Sequence, residues 1–176
     1  SEQVTAAQAR IDAELGPQPK LFAYPYGEYA PPLERWLADA GYAAFGQHSG
    51  PLWVESPAQA LPRFPASGPY GDLESLRPKL AMRALAVKDL RPEDMRRSRA
   101  DAAPVLSFTL RFPEAHRGPV QCYATGQGAI PTHRDGAHIQ AQAPQALPKG
   151  RSRYNCTAQG PEGRWHWVSQ PFLRLD

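Results

Sequence analysis

No apolar run in these 176 residues reaches eighteen, so the sequence offers no membrane-spanning helix. It has no signal-peptide pattern, no internal repeat and no low-complexity segment. Cysteine is scarce, with two in all, and neither CxxC spacing nor an adjoining histidine pair completes a zinc site around them. Excess charge is also small. Twenty Lys and Arg stand against 17 Asp and Glu, a net +3, and the pI is about 9.0. Nucleic-acid binders gather their cations on one face. The one dense cluster here, Arg91 to Arg99, is diluted by Glu93 and Asp94 and reads as a solvated connector. Nucleic acid is therefore not expected as a partner.

What is plentiful is proline. Twenty prolines are about twice the usual ~5%, scattered among aromatic and aliphatic runs, which predicts a fold punctuated by turns. Apolar residues at 41% and charged residues at 21% are enough for a buried core. The chain begins with Ser rather than Met, as a processed protein or an expressed fragment would.

Two kinds of periodicity divide the chain. Val4, Ala7, Ile11 and Leu15 recur at helical spacing up to Gly16-Pro17. Leu21 to Tyr24 is short and apolar, as a buried strand is. A second helix is predicted from Pro31-Pro32, with Leu33, Trp36, Leu37 and Ala40 on its buried face and Gly41 at its C-terminal stop. The run Tyr42 to Phe45 follows, then a loop from Gln47 to Ala60, a further strand candidate at Leu61 to Ala66 and a helical stretch at Asp72 to Leu85. Helix, strand, helix, strand is the pattern of a parallel α/β sheet. Residues 86–103 show no apolar period and are assigned as a linker.

After Pro104 the period becomes two. Leu106, Phe108, Leu110 and Phe112 alternate with Val105, Ser107, Thr109 and Arg111. Val120 to Thr125, His138 to Ala143, Arg153 to Ala158 and Arg164 to Ser169 are further strand candidates. Together they predict a small antiparallel β-sandwich over residues 104–176. Cys122 and Cys156 fall on two of these strands. The pair is a disulfide, two buried thiols or half a metal site. A domain of about 75 residues has a thin core that a staple would help, and a bridge would imply a periplasmic or secreted setting.

The most specific segment is Phe22-Ala23-Tyr24-Pro25-Tyr26-Gly27. It resembles the third signature of the polysaccharide deacetylases of carbohydrate esterase family 4, a strand ending in Arg-x-Pro-Tyr-Gly. The following Ala40-Gly41-Tyr42 and Ala43-Ala44-Phe45-Gly46 resemble that family's next helix and strand, and Leu61-Pro62-Arg63-Phe64-Pro65 its closing segment. The resemblance implies that residues 1–85 are the C-terminal part of a distorted (β/α) barrel, α/β followed by an all-β accessory domain. It also implies an N- or O-deacetylase acting on acetylated polysaccharides or oligosaccharides. The Tyr26 backbone N–H would then help hold an oxyanion, Pro25 and Gly27 would shape the turn, and Arg63 would supply a cation, since Ala23 stands where the signature has arginine. The family's Asp-Asp pair and His-x-x-x-His motif have no counterpart here. A divalent metal, zinc or similar, is thus expected only with an N-terminal half that this chain lacks, and none in the chain itself. A half barrel would also expose sheet edges open to self-association.

Other residues have plainer readings. His48 is a polar loop histidine. His133, Asp135 and His138 lie in a turn without helical ligand spacing, which disfavours a metal set. Trp165 and Trp167 share a strand face, as core residues or as a sugar-stacking platform. The alternative to a deacetylase fragment is a non-enzymatic carbohydrate-binding or protein-interaction module.

Overall fold

The computed structural model describes residues 1–176 except the side chain of Glu162. The chain opens with α1 (Glu2–Leu15). Its apolar stripe is not a core face: Ile11 and Leu15 are exposed, and Val4 is the one residue of the stripe that packs against buried neighbours. Next come β1 (Leu21–Ala23), α2 (Pro31–Asp39) and β2 (Ala43–Phe45). Proline at the first two positions of α2 loses no hydrogen bond there. Gly41 takes φ +76 just beyond the helix, as predicted. β1 and β2 pair in parallel, with Phe22 opposite Ala44, and Leu61 adds a single parallel bridge to Phe45.

The expected barrel portion is overturned by this geometry. A barrel wall needs strands on both sides of each strand, but β1 and β2 form a two-stranded sheet of their own. The apolar side chains of this segment (Tyr24, Tyr29, Leu37, Tyr42 and Ala44) bury Met95 and Leu173 among them. The N-terminal segment is therefore a layer resting on the C-terminal part of the chain.

That part is a sandwich. After α3 (Leu73–Ala81), whose Asp72 cap accepts from the Ser75 N–H at 2.7 Å, come three short strands: β3 (Arg83–Ala84), β4 (Val87–Arg91) and β5 (Arg96–Arg97). The rest are β6 (Val105–Leu110), β7 (Val120–Ala124), β8 (Gly128–Ile130), β9 (Thr132–Asp135), β10 (His138–Gln142), β11 (Gly150–Gln159) and β12 (Trp165–Arg174). One sheet runs β4-β6-β10-β9. The other runs β3-β12-β11-β7-β8, with β5 also on β12. Residues 86–103, assigned as a linker from their missing period, thus carry β4 and β5. Their apolar residues serve different surfaces: Val87 and Leu90 join the sandwich core, whereas Met95 joins the N-terminal one.

The predicted alternation holds in β6, where Leu106, Phe108 and Leu110 are buried. They meet Val120, Tyr154, Phe172 and Ile139 in the core between the sheets. The buried Tyr154 hydroxyl donates to the Pro104 carbonyl at 3.2 Å and accepts from the Ala143 N–H at 3.0 Å. Cys122 and Cys156 are opposite one another on β7 and β11 and form a disulfide, Cα atoms 4.0 Å apart.

Residues of β12 alternate between the two sides of its sheet. Val168 and Phe172 point into the sandwich. Leu173 joins the N-terminal core, the Ser169 hydroxyl donates to the Ser49 carbonyl at 2.6 Å, and the Trp167 ring meets Phe64 edge-on. The outer face of β12 is thus the seat of the N-terminal layer.

Candidate functional site: a cleft between the N-terminal layer and the sandwich

The turn singled out from the sequence is well defined. Tyr24 is buried and its hydroxyl donates to the Gln59 carbonyl at 2.7 Å. Pro25, Tyr26 and Gly27 close a tight turn through Gly27 N–H to Tyr24 O at 2.9 Å and Glu28 N–H to Pro25 O at 3.1 Å. Gly27 has φ +72, and a Cβ there would lie 2.6 Å from the Gln47 backbone nitrogen. The Tyr26 ring is 68% exposed and lies under the Arg151 guanidinium of β11, 5.0 Å from its centroid. Glu28 adds an ion pair to the same arginine at 3.7 Å. Arg63 donates its Nε–H to the Gly46 carbonyl at 2.9 Å and its N–H to His48 O at 3.0 Å. Pro25, Tyr26, Gly27 and Arg63 all lie outside the two cavities that border the N-terminal layer.

The first of these is a cleft of about 590 Å³ where the N-terminal layer meets β4 and β12. One wall carries Tyr29, Glu34, His48 and Trp53, the other Val87, Leu90, Trp167 and Gln170. Burial raises the Glu34 carboxyl above its usual range, with Asp94 and Glu93 adding to the effect and Arg35 opposing it. Burial also lowers His48 to about 4, helped by Arg153 and opposed by the Ala60 backbone. The His48 ring packs over Gly46, where a Cβ would come within 2.7 Å of Nδ1, and that nitrogen has no hydrogen-bond partner among the described residues. His48, a polar loop histidine by sequence, is a buried wall of the cleft.

A second cavity, about 670 Å³, lies beside the first and is lined by Trp53, Arg83, Phe112, Glu114, His116 and His166, among others. The His116 and His166 rings meet edge to face with centroids 4.5 Å apart. Burial lowers both below the ordinary imidazole value. The Nδ1 of His166 faces the Ala84 carbonyl at 3.2 Å.

His133, Asp135 and His138 fall on the β9–β10 hairpin, with Asp135 opposite His138. All three are exposed, and no group of three or more metal-binding side chains comes together among the described residues. Trp165 is 51% exposed and borders neither cavity. Trp167 is half-buried, its indole N–H donating to the Ser169 hydroxyl at 2.7 Å. Sequence reasoning passed over Trp53, Glu34 and Gln170. They come from a loop, a helix and a strand, and no local pattern links them.

No family model matches the chain, and no curated protein matches it. The resemblance to polysaccharide deacetylases is overturned on this ground and on the architecture, in which the turn that carried it is docked on a β-sandwich. Among solved structures, the chain is similar to the crystal structure of CopC from Methylosinus trichosporium OB3b. That likeness has 13% identity over 51% of this chain and 91% of that one, and a TM-score of 0.35.

Proposed function

We propose that this chain is a non-enzymatic carbohydrate-binding module of an extracytoplasmic protein, periplasmic or secreted, with the cleft between the N-terminal layer and the sandwich as its binding site. The observation that carries this reading is the lining of the cleft. Two indoles, Trp53 and Trp167, stand beside Glu34, Lys88, Asp89 and Gln170. Sugar rings present apolar C–H faces and a girdle of hydroxyls, so aromatic faces bordered by hydrogen-bonding groups suit them. The volume of about 590 Å³ lies within the ~300–1,000 Å³ range of small-molecule sites. The Cys122–Cys156 bond supports an oxidising compartment.

Titrating soluble saccharides against the intact chain, read by tryptophan fluorescence and by calorimetry, tests the reading. A saturable spectral change that is lost in Trp53→Ala supports it. A flat titration in both readouts overturns it.

A further inference from the structure

We infer that the cleft and the second cavity are two parts of one groove, so that its ligand is a linear oligosaccharide rather than a single sugar. The inference rests on the carbohydrate reading above and extends it. The two cavities share Trp53 and Ala84 in their linings. Ala84 belongs to β3, a two-residue strand on the edge of the six-stranded sheet, paired in parallel with Trp167 of β12. Its side chain is a single methyl, and it borders both spaces. Trp53 borders both as well, its backbone held in a tight turn in which its N–H donates to the Ser56 hydroxyl at 3.0 Å and its carbonyl accepts from the Ser56 N–H at 3.0 Å.

Ring surfaces continue along this path. Trp167 lines the first space, Trp53 both, and Phe112, 49% exposed, the second. Aromatic faces in succession match the successive apolar faces of a sugar chain, and they would be redundant for one ring. The second space is also walled by the His116 imidazole, packed edge to face on His166. His116 is 3% exposed, its burial favours the neutral ring, and its Nδ1 has no hydrogen-bond partner among the described residues.

Affinity measured by calorimetry for cello- and chito-oligosaccharides, from monosaccharide to hexasaccharide, decides the matter. The affinity of whichever series binds should climb with length and then level off once both spaces are filled. Phe112→Ala, at an exposed position and checked for an unchanged melting curve, should weaken the longest ligand about tenfold and leave the shortest unaffected, as loss of one stacked ring predicts. Binding that is independent of length, or a Phe112→Ala variant indistinguishable from the parent at every length, overturns the extended groove while leaving the carbohydrate reading intact. Failure of every length to bind overturns both.

Discussion

The guanidinium of Arg151 lies over the ring of Tyr26, 5.0 Å from its centroid, and ties the N-terminal turn to the outer face of the sandwich. The pair is solvent-facing, so its stabilisation is on the order of 0.5–1 kcal/mol. Denaturation of Tyr26→Ala, Arg151→Ala and the double variant should show a coupling of that size. Additive losses would mean the contact contributes nothing.

Gly27 anchors the same turn from below. Its φ of +72, and the 2.6 Å that would separate an added methyl from the Gln47 nitrogen, leave no room for a side chain. Gly27→Ala should cost about 1–3 kcal/mol, measured by urea denaturation. A neutral substitution would show that the loop at Gln47 yields freely.

Met95 anchors the segment between β4 and β5 in the N-terminal core. It is 2% exposed, its carbonyl accepts from the Leu173 N–H at 2.7 Å, and its sulfur accepts from the Tyr29 N–H at 3.3 Å. Met95→Ala should destabilise by about 2–5 kcal/mol. Amide exchange should rise more in β1, α2 and β2 than in β6. Equal acceleration everywhere would show that the layer and sandwich open only together.

The Cys122–Cys156 bond closes a sequence separation of 34 residues. In the chain-entropy model such a loop is worth about 3–4 kcal/mol. Reduction, or Cys122→Ala with Cys156→Ala, should lower the urea midpoint accordingly. An unchanged midpoint would show that native pairing of β7 and β11 holds without the bond.

Acid should loosen the interface. His48 stays neutral in the fold down to about 4, whereas its ordinary value is 6.5. Between those values the unfolded chain binds the extra proton, so stability falls as pH drops from 6.5 toward 4 and is untouched by this residue above 6.5. The lowered values of His116 and His166 act in the same direction. His48→Gln should flatten the slope of stability against pH by up to about 1.4 kcal/mol per unit. An identical slope in the variant would assign the acid sensitivity to other groups.

Local periodicity made the elements legible. The alternation in β6, the strands β7, β10, β11 and β12, and the proline-led start of α2 follow from residues a few positions apart, because side-chain direction repeats every two residues in a strand and every 3.6 in a helix. The parallel pairing of β1 and β2 was also legible. Its extension into a barrel was not, because strand count depends on what covers the apolar faces. Met95 and Leu173, far along the chain, cover them here.

The candidate site was the least legible part. Trp53 sits in a loop with no period, and Glu34 is not among the apolar residues that mark the buried face of α2. Their meeting with Trp167 and Gln170 depends on how one layer rests on another.

By itself, the sequence determined where the chain alternates, where it turns, and that its two cysteines belong to separate strands, because these properties are written in short-range spacing. Tertiary structure alone decided that those cysteines are cross-strand neighbours, that the N-terminal segment caps a sandwich, and that a cleft opens along the seam. Burial between distant segments is a property of the whole packing and has no local period to reveal it.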